Sequence, residues 1–82
     1  MNKDNFLQKI VSNQKNVKYN DFASLVESFG FMKKRTNGSH TIFKNEEIGE
    51  MINLQNVKGE AKPYQIKQFL AIVEKHDLRM EG

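Results

Sequence analysis

The dipeptide Asn37-Gly38 constrains the fold of this chain more than any other feature, because it lies between two runs of residues with strand-like alternation. A two-residue type I′ turn needs positive φ at both central positions, and asparagine and glycine tolerate such angles best. The pair therefore predicts a β-hairpin in which Thr36 pairs with Ser39. In that register Arg35 lies opposite His40 on one face of the hairpin, close enough for both side chains to contact one substrate.

Length and composition limit the classes of protein to which the chain can belong. Its 82 residues suffice for one hydrophobic core and are too few for two. The absence of cysteine excludes disulfides and thiolate zinc sites, and the two histidines have no acidic partner at ligand spacing. We therefore predict one domain over residues 1–82, with no metal and no cofactor. No apolar run approaches ~20 residues and no signal peptide is recognisable, so we expect a cytoplasmic protein without a membrane segment.

The formal net charge of +3 is modest, so its distribution along the chain is more informative than its sum. The cations cluster in the middle of the chain, at Lys33, Lys34, Arg35, Lys44, Lys58, Lys62 and Lys67. RNA or DNA is the natural polyanion for such a patch. The alternative is a lysine-rich surface that is simply solvated.

A short amphipathic helix is predicted near the N-terminus, where apolar residues recur at helical spacing after Asp4. These residues are Phe6, Leu7, Ile10 and Val11. Residues 12–18 have no apolar period and are predicted to form a connector. The helix would then be an extension formed by residues 1–17, and its apolar stripe would pack on the domain, on a second copy or on another protein.

Two further helices have clear start or stop signals. Asn20 is the predicted N-cap of the second helix, and Gly30 is its predicted left-handed C′ residue. Its apolar positions are Phe22, Leu25, Val26 and Phe29. The last helix is predicted to begin at Pro63, whose missing N–H is tolerated in a first turn, and to end near His76. Its apolar positions are Ile66, Phe69, Leu70 and Val73.

Strands are predicted at residues 31–36, 39–44 and 51–55. Strict alternation in the first two leaves neither face of the hairpin apolar, which a β-bulge at Lys33 or Lys34 would explain. The predicted order is helix, helix, three strands, helix, which is an α+β fold.

The spacing of several of these residues resembles the signature of a known family. Gly30-Phe31, then Arg35, then Gly38-Ser39-His40 is similar to the motif of the HicA toxins, which are bacterial messenger-RNA interferases of type II toxin–antitoxin pairs. The continuation over residues 52–70 is similar to a longer HicA-like branch, and the resemblance covers roughly residues 21–75.

The resemblance implies a fold like the double-stranded-RNA-binding domain, α-β-β-β-α, here with an additional N-terminal helix. That core would cover residues 18–78. It also implies an endoribonuclease in which His40 is catalytic, with RNA as substrate and a HicB-type antitoxin as silencing partner. The apolar stripe of the N-terminal helix could contact that antitoxin, and any oligomer would form through it.

RNA scission without a metal uses the neighbouring 2′-hydroxyl as nucleophile, and it needs a base and cations around the phosphoryl oxygens. His40 suits the base, because a neutral imidazole has a free nitrogen that can accept a proton. Arg35 offers a planar fork for phosphate oxygens. The predicted RNA-binding residues are Lys33, Lys34, Ser39, Lys44, Lys58 and Lys62.

Each role has a simpler alternative. His40 could be an exposed strand residue with one hydrogen bond, Arg35 an ion-pair partner of a glutamate, and Ser39 a residue that bonds to local backbone. For the whole chain the alternatives are a non-catalytic RNA-binding module of the same fold and a protein-interaction domain. The general acid and the cleavage preference are left open by the sequence.

Overall fold

The computed structural model describes residues 3–80, so residues 1, 2, 81 and 82 of the predicted domain lie outside the described part. The elements are α1 (Lys3–Ser12), α2 (Tyr19–Ser28), β1 (Met32–Asn37), β2 (His40–Asn45), β3 (Glu50–Gln55) and α3 (Pro63–His76). The strands form one antiparallel sheet of order β1-β2-β3. The predicted α+β class is confirmed, with the α-β-β-β-α arrangement of a double-stranded-RNA-binding domain and an additional N-terminal helix. None of the helices in the described part is long and apolar enough to cross a membrane.

The core lies between the helices and one face of the sheet. Phe69 of α3 is fully buried at its centre. The rings of Phe22, Phe29 and Phe31 meet it edge-on, with centroid distances of 5.5, 5.4 and 5.9 Å. Such geometry places positive ring edges against a negative ring face. The sheet contributes Phe43, Ile52 and Leu54.

Helix α1 packs on this same core. Ile10 is fully buried, and Phe6 and Leu7 are half-buried against the cluster. Val11 is 60% exposed, so its predicted place on the buried stripe is wrong. The sequence left the domain, a second copy or another protein as the surface that this helix covers, and in the structure it packs on the domain.

Helix α2 begins one residue earlier than its predicted cap. Asn20 lies inside the first turn, and Lys18 occupies the N-cap position without a side-chain capping bond. The backbone N–H of Tyr19 donates to the carbonyl of Gly59 at 2.8 Å, which fixes this segment against the loop before α3. A long-range backbone bond thus sets the start of the helix in place of a local cap.

The remaining helix signals are confirmed. Gly30 has φ +91° and donates its N–H to the carbonyl of Glu27 at 3.0 Å. Pro63 is the first residue of α3.

At the other end of α3, the His76 Nε2–H donates to the Glu50 carboxylate at 2.8 Å, and this bond holds the pKa of Glu50 below its usual value.

The hairpin turn differs from the prediction by one residue. Asn37 pairs with His40, so the central turn residues are Gly38 and Ser39. Gly38 has φ +62°, whereas Ser39 has negative φ, which is the sign pattern of a type II′ turn with glycine first. The predicted pairing of Thr36 with Ser39 is therefore wrong, and Thr36 pairs with Thr41.

The predicted bulge is confirmed in β1. Lys33 pairs with Phe43 and Arg35 with Ile42, so Lys34 is the extra residue. The bulge puts Arg35 on the face of the sheet turned away from the helices, which we call the outer face. By register the outer face carries Met32, Arg35, Asn37, His40, Ile42, Lys44, Met51, Asn53 and Gln55.

Candidate functional site

His40 is the first residue of β2, where it is exposed on the outer face. Its ring Nδ1 lies 3.2 Å from the side-chain oxygen Oδ1 of Asn53 on β3. An amide oxygen can only accept a hydrogen bond, so Nδ1 must carry the hydrogen. The Nε2 lone pair of the neutral ring is then free to accept a proton.

Arg35 lies on the same face as His40 but diagonal to it. Arg35 is opposite Ile42, and His40 is opposite Asn37, so the predicted direct pairing of Arg35 with His40 is wrong. Both side chains nevertheless line one shallow groove, together with Asn37, Ile42 and Asn53. Diagonal neighbours across strands remain within reach for a side chain as long as arginine. Arg35 forms no ion pair within residues 3–80, so the alternative of a glutamate partner is not observed there.

Lys34 and Lys44 both lie close to the Glu46 carboxylate, at the end of β2 that is far from His40. Their ammonium nitrogens are 3.3 and 3.8 Å from the oxygens of Glu46. The hydrogen bond from Lys34, followed by the charge of Lys44, lowers the pKa of Glu46. Part of the positive charge of these two lysines is therefore neutralised, and neither lines the groove that holds His40.

Lys33 and Ser39 belong to the opposite side of the hairpin. Lys33 pairs with Phe43, whose side chain points into the core, and it borders a second depression with Ser39 and Asn56. The carbonyl of Ser39 accepts the backbone N–H of Asn56 at 2.9 Å. Neither Lys33 nor Ser39 borders the groove that holds His40.

Lys58 and Lys62 lie in the loop between β3 and α3. Lys58 has φ +53°, and Lys62 is the N-cap residue of α3. Neither lysine forms an ion pair in the described part of the chain, and neither borders the groove with His40. Of the predicted site residues in the described part, Arg35 and His40 are the two that border this groove.

Asn53 is the site residue that sequence reasoning did not identify. The alternation of buried Ile52 and Leu54 does place residue 53 on the outer face. Its proximity to His40 depends on the β2–β3 register, which the sequence leaves undetermined. Within residues 3–80, no group of three or more His, Cys, Asp or Glu side chains is arranged to hold a metal ion.

The match to a family model extends from the start of α2 almost to the end of α3. The model described as HicA toxin of bacterial toxin-antitoxin matches residues 19–74, a segment that includes Arg35, His40 and Asn53. Comparisons with curated proteins and with solved structures found no match. Because the family match covers more than half of the chain, the protein belongs to the HicA toxin family.

Proposed function

We propose that this toxin is a metal-independent endoribonuclease that cleaves messenger RNA with His40 as general base. One observation carries the proposal. The bond from His40 Nδ1 to Asn53 leaves Nε2 free on an open groove that also contains a cation. A base with a free nitrogen, on the same groove as a guanidinium, suits attack by a 2′-hydroxyl.

In the proposed reaction, His40 Nε2 takes the proton of the 2′-hydroxyl as its oxygen attacks the neighbouring phosphorus. The phosphorus–O5′ bond breaks, which leaves a 2′,3′-cyclic phosphate on one fragment and a 5′-hydroxyl on the other. Arg35 donates hydrogen bonds to the phosphoryl oxygens as their charge builds. No second acid or base borders the groove among the described residues, so the leaving oxygen takes its proton from solvent.

The basic residues outside the groove are proposed to hold the RNA. Lys58 and Lys62, which are free of ion pairs in residues 3–80, suit phosphates that flank the cleavage site. Lys33 and Ser39 suit the segment that passes the hairpin tip, and Lys34 and Lys44 can bind once Glu46 is displaced. Because the family acts in toxin–antitoxin systems, we infer that the protein is cytoplasmic and that a HicB-type antitoxin binds it and silences its activity.

The test is cleavage of RNA by purified His40→Ala protein in the presence of EDTA. General-base catalysis typically contributes about 10²–10⁴-fold, so the variant should lose activity by that factor, while wild-type cleavage in EDTA should persist. Products of the wild-type reaction should carry cyclic phosphate ends. The matched control is His76→Ala, which removes the other histidine and should keep cleavage where the protein is folded.

A folded His40→Ala protein that still cleaves RNA and arrests growth at wild-type dosage would contradict the proposal. Wild-type protein that binds RNA but yields no cyclic phosphate product would point to the alternative, a non-catalytic RNA-binding module. A protein that binds no RNA, and that still binds its partner protein after the lysines are neutralised, would point to a protein-interaction domain.

A further inference from the structure

The edge of β3 that points away from β2 is covered by a side chain instead of a fourth strand. β3 pairs with β2 on one side only. On its other side, the Gln65 Nε2–H donates to the carbonyl of Asn53 at 3.1 Å. The Gln65 Oε1 accepts the backbone N–H of Gln55, also at 3.1 Å. One amide group from α3 thus bonds to the two β3 residues on either side of Leu54.

Those two residues are the ones that face His40. Gln55 is the β3 residue opposite His40, and Asn53 supplies the oxygen that holds the His40 ring. We propose that Gln65 is a positioning residue for His40, acting through the backbone of β3. This inference rests on the proposed role of His40 as the base.

The chemistry of Gln65 supports a positioning role over simple packing. Gln65 is only 4% exposed, and a buried amide is costly unless both its oxygen and its nitrogen are bonded. Both are bonded here, so the amide fixes the positions of the residue 53 carbonyl and the residue 55 N–H relative to α3. The bond between Asn53 and His40 is 3.2 Å long, at the upper end of the usual range for N–H···O bonds. A displacement of the Asn53 backbone would therefore weaken this bond.

The test compares Gln65→Met with Gln65→Glu. Methionine has a similar volume and makes neither backbone bond. Glutamate keeps an acceptor for the N–H of Gln55 but, when ionised, has no donor for the carbonyl of Asn53. The control is Ile72→Ala, which removes buried volume from the same helix and leaves the β3 edge intact. All proteins are studied at a temperature where each is fully folded by circular dichroism.

Two readouts separate positioning from stability. The first is the tautomer of His40, measured from its imidazole ¹⁵N shifts at alkaline pH without RNA. We expect the Nδ1–H form to predominate in the wild type and in Ile72→Ala, and to lose population in Gln65→Met. The second is RNA cleavage, where kcat should fall in Gln65→Met by at most about two- to fivefold, the loss expected from removing the Asn53–His40 bond itself, with KM little changed. Acidification should partly restore kcat in Gln65→Glu relative to Gln65→Met, because a protonated carboxyl regains the donor.

The inference is overturned if His40 keeps its wild-type tautomer in folded Gln65→Met, or if Ile72→Ala loses as much activity as Gln65→Met. The tautomer measurement needs no enzymatic activity. If His40→Ala retained cleavage, the proposed function would fail while the structural link from Gln65 to His40 could still be decided.

Discussion

Replacing Asn53 with alanine isolates the contact that orients the His40 ring. The bond is 3.2 Å long and exposed to solvent, so its net value lies in the lower half of the usual range, about 0.5–1 kcal/mol. Because about 1.4 kcal/mol corresponds to a tenfold change in rate, Asn53→Ala should lower kcat/KM by about two- to fivefold. This loss is far smaller than that expected from removing His40, the proposed base.

Asn53→Asp provides a counterpart with a different signature. A carboxylate keeps the acceptor for Nδ1–H and also favours the protonated imidazole. The acidic limb of the pH–rate profile should therefore move to higher pH, while the alkaline plateau stays near the wild-type value. In Asn53→Ala the plateau itself should fall.

The assay is single-turnover cleavage of labelled RNA between pH 5 and 9 in EDTA. Met51→Ala is the matched control, because Met51 lies on the same strand and face, is 59% exposed and makes no bond to His40. An Asn53→Ala enzyme with wild-type rates across the whole range, or an Asn53→Asp profile that coincides with the wild type, would refute the assigned role of Asn53.

Three further predictions concern Arg35 as the proposed phosphate partner, the pH dependence of stability and the core. Arg35→Ala should slow RNA cleavage by roughly 10- to 150-fold, since a charge-assisted bond contributes about 1.5–3 kcal/mol. The control variant Arg79→Ala loses the same charge and should cleave at the wild-type rate. Equal rates for the two variants would show that Arg35 does not belong to the site. Because the pKa of Glu50 is lowered in the folded state by the bond from His76, its stabilisation is complete above its ordinary pKa of 4.5 and is lost as the pH falls through the folded pKa. Urea titrations should therefore show a difference in unfolding free energy between wild type and Glu50→Gln that is greatest at neutral pH and vanishes in acid. A difference that does not depend on pH would contradict this. Phe69→Ala should lower the unfolding free energy by about 3–5 kcal/mol in the same titration, because a fully buried ring is lost, and a loss below about 1 kcal/mol would mean that the core repacks.

The features that could be predicted from the sequence are those set by local chemistry. Gly30 ends α2 because its positive φ suits a C′ glycine, and Pro63 starts α3 because its missing N–H has no partner in a first turn. Alternation around Leu54 was sufficient to identify β3. The same local reasoning predicted a bulge at Lys33 or Lys34, and the register of the structure assigns it to Lys34.

The features that could not be predicted depend on distant residues. Gly38 satisfies a type I′ turn as second central residue and a type II′ turn as first, so the sequence alone does not choose between the two registers. Asn20 is a better cap than Lys18 by local preference, but the bond of Tyr19 to Gly59 sets the helix start. The contact of His40 with Asn53 joins residues 13 positions apart, and it exists only because of the strand register.

The packing of α1 shows that the family match and the buried core begin at different residues. The family match begins at residue 19, whereas the buried core already includes Ile10 and Val17. A fragment cut at the edge of the match would lose two side chains that are at least nine-tenths buried, and their neighbours would be left in contact with water. The segment that carries the family signature is thus shorter than the segment that forms the core, and a protein trimmed to its signature should be less stable although its sequence keeps every residue of the groove.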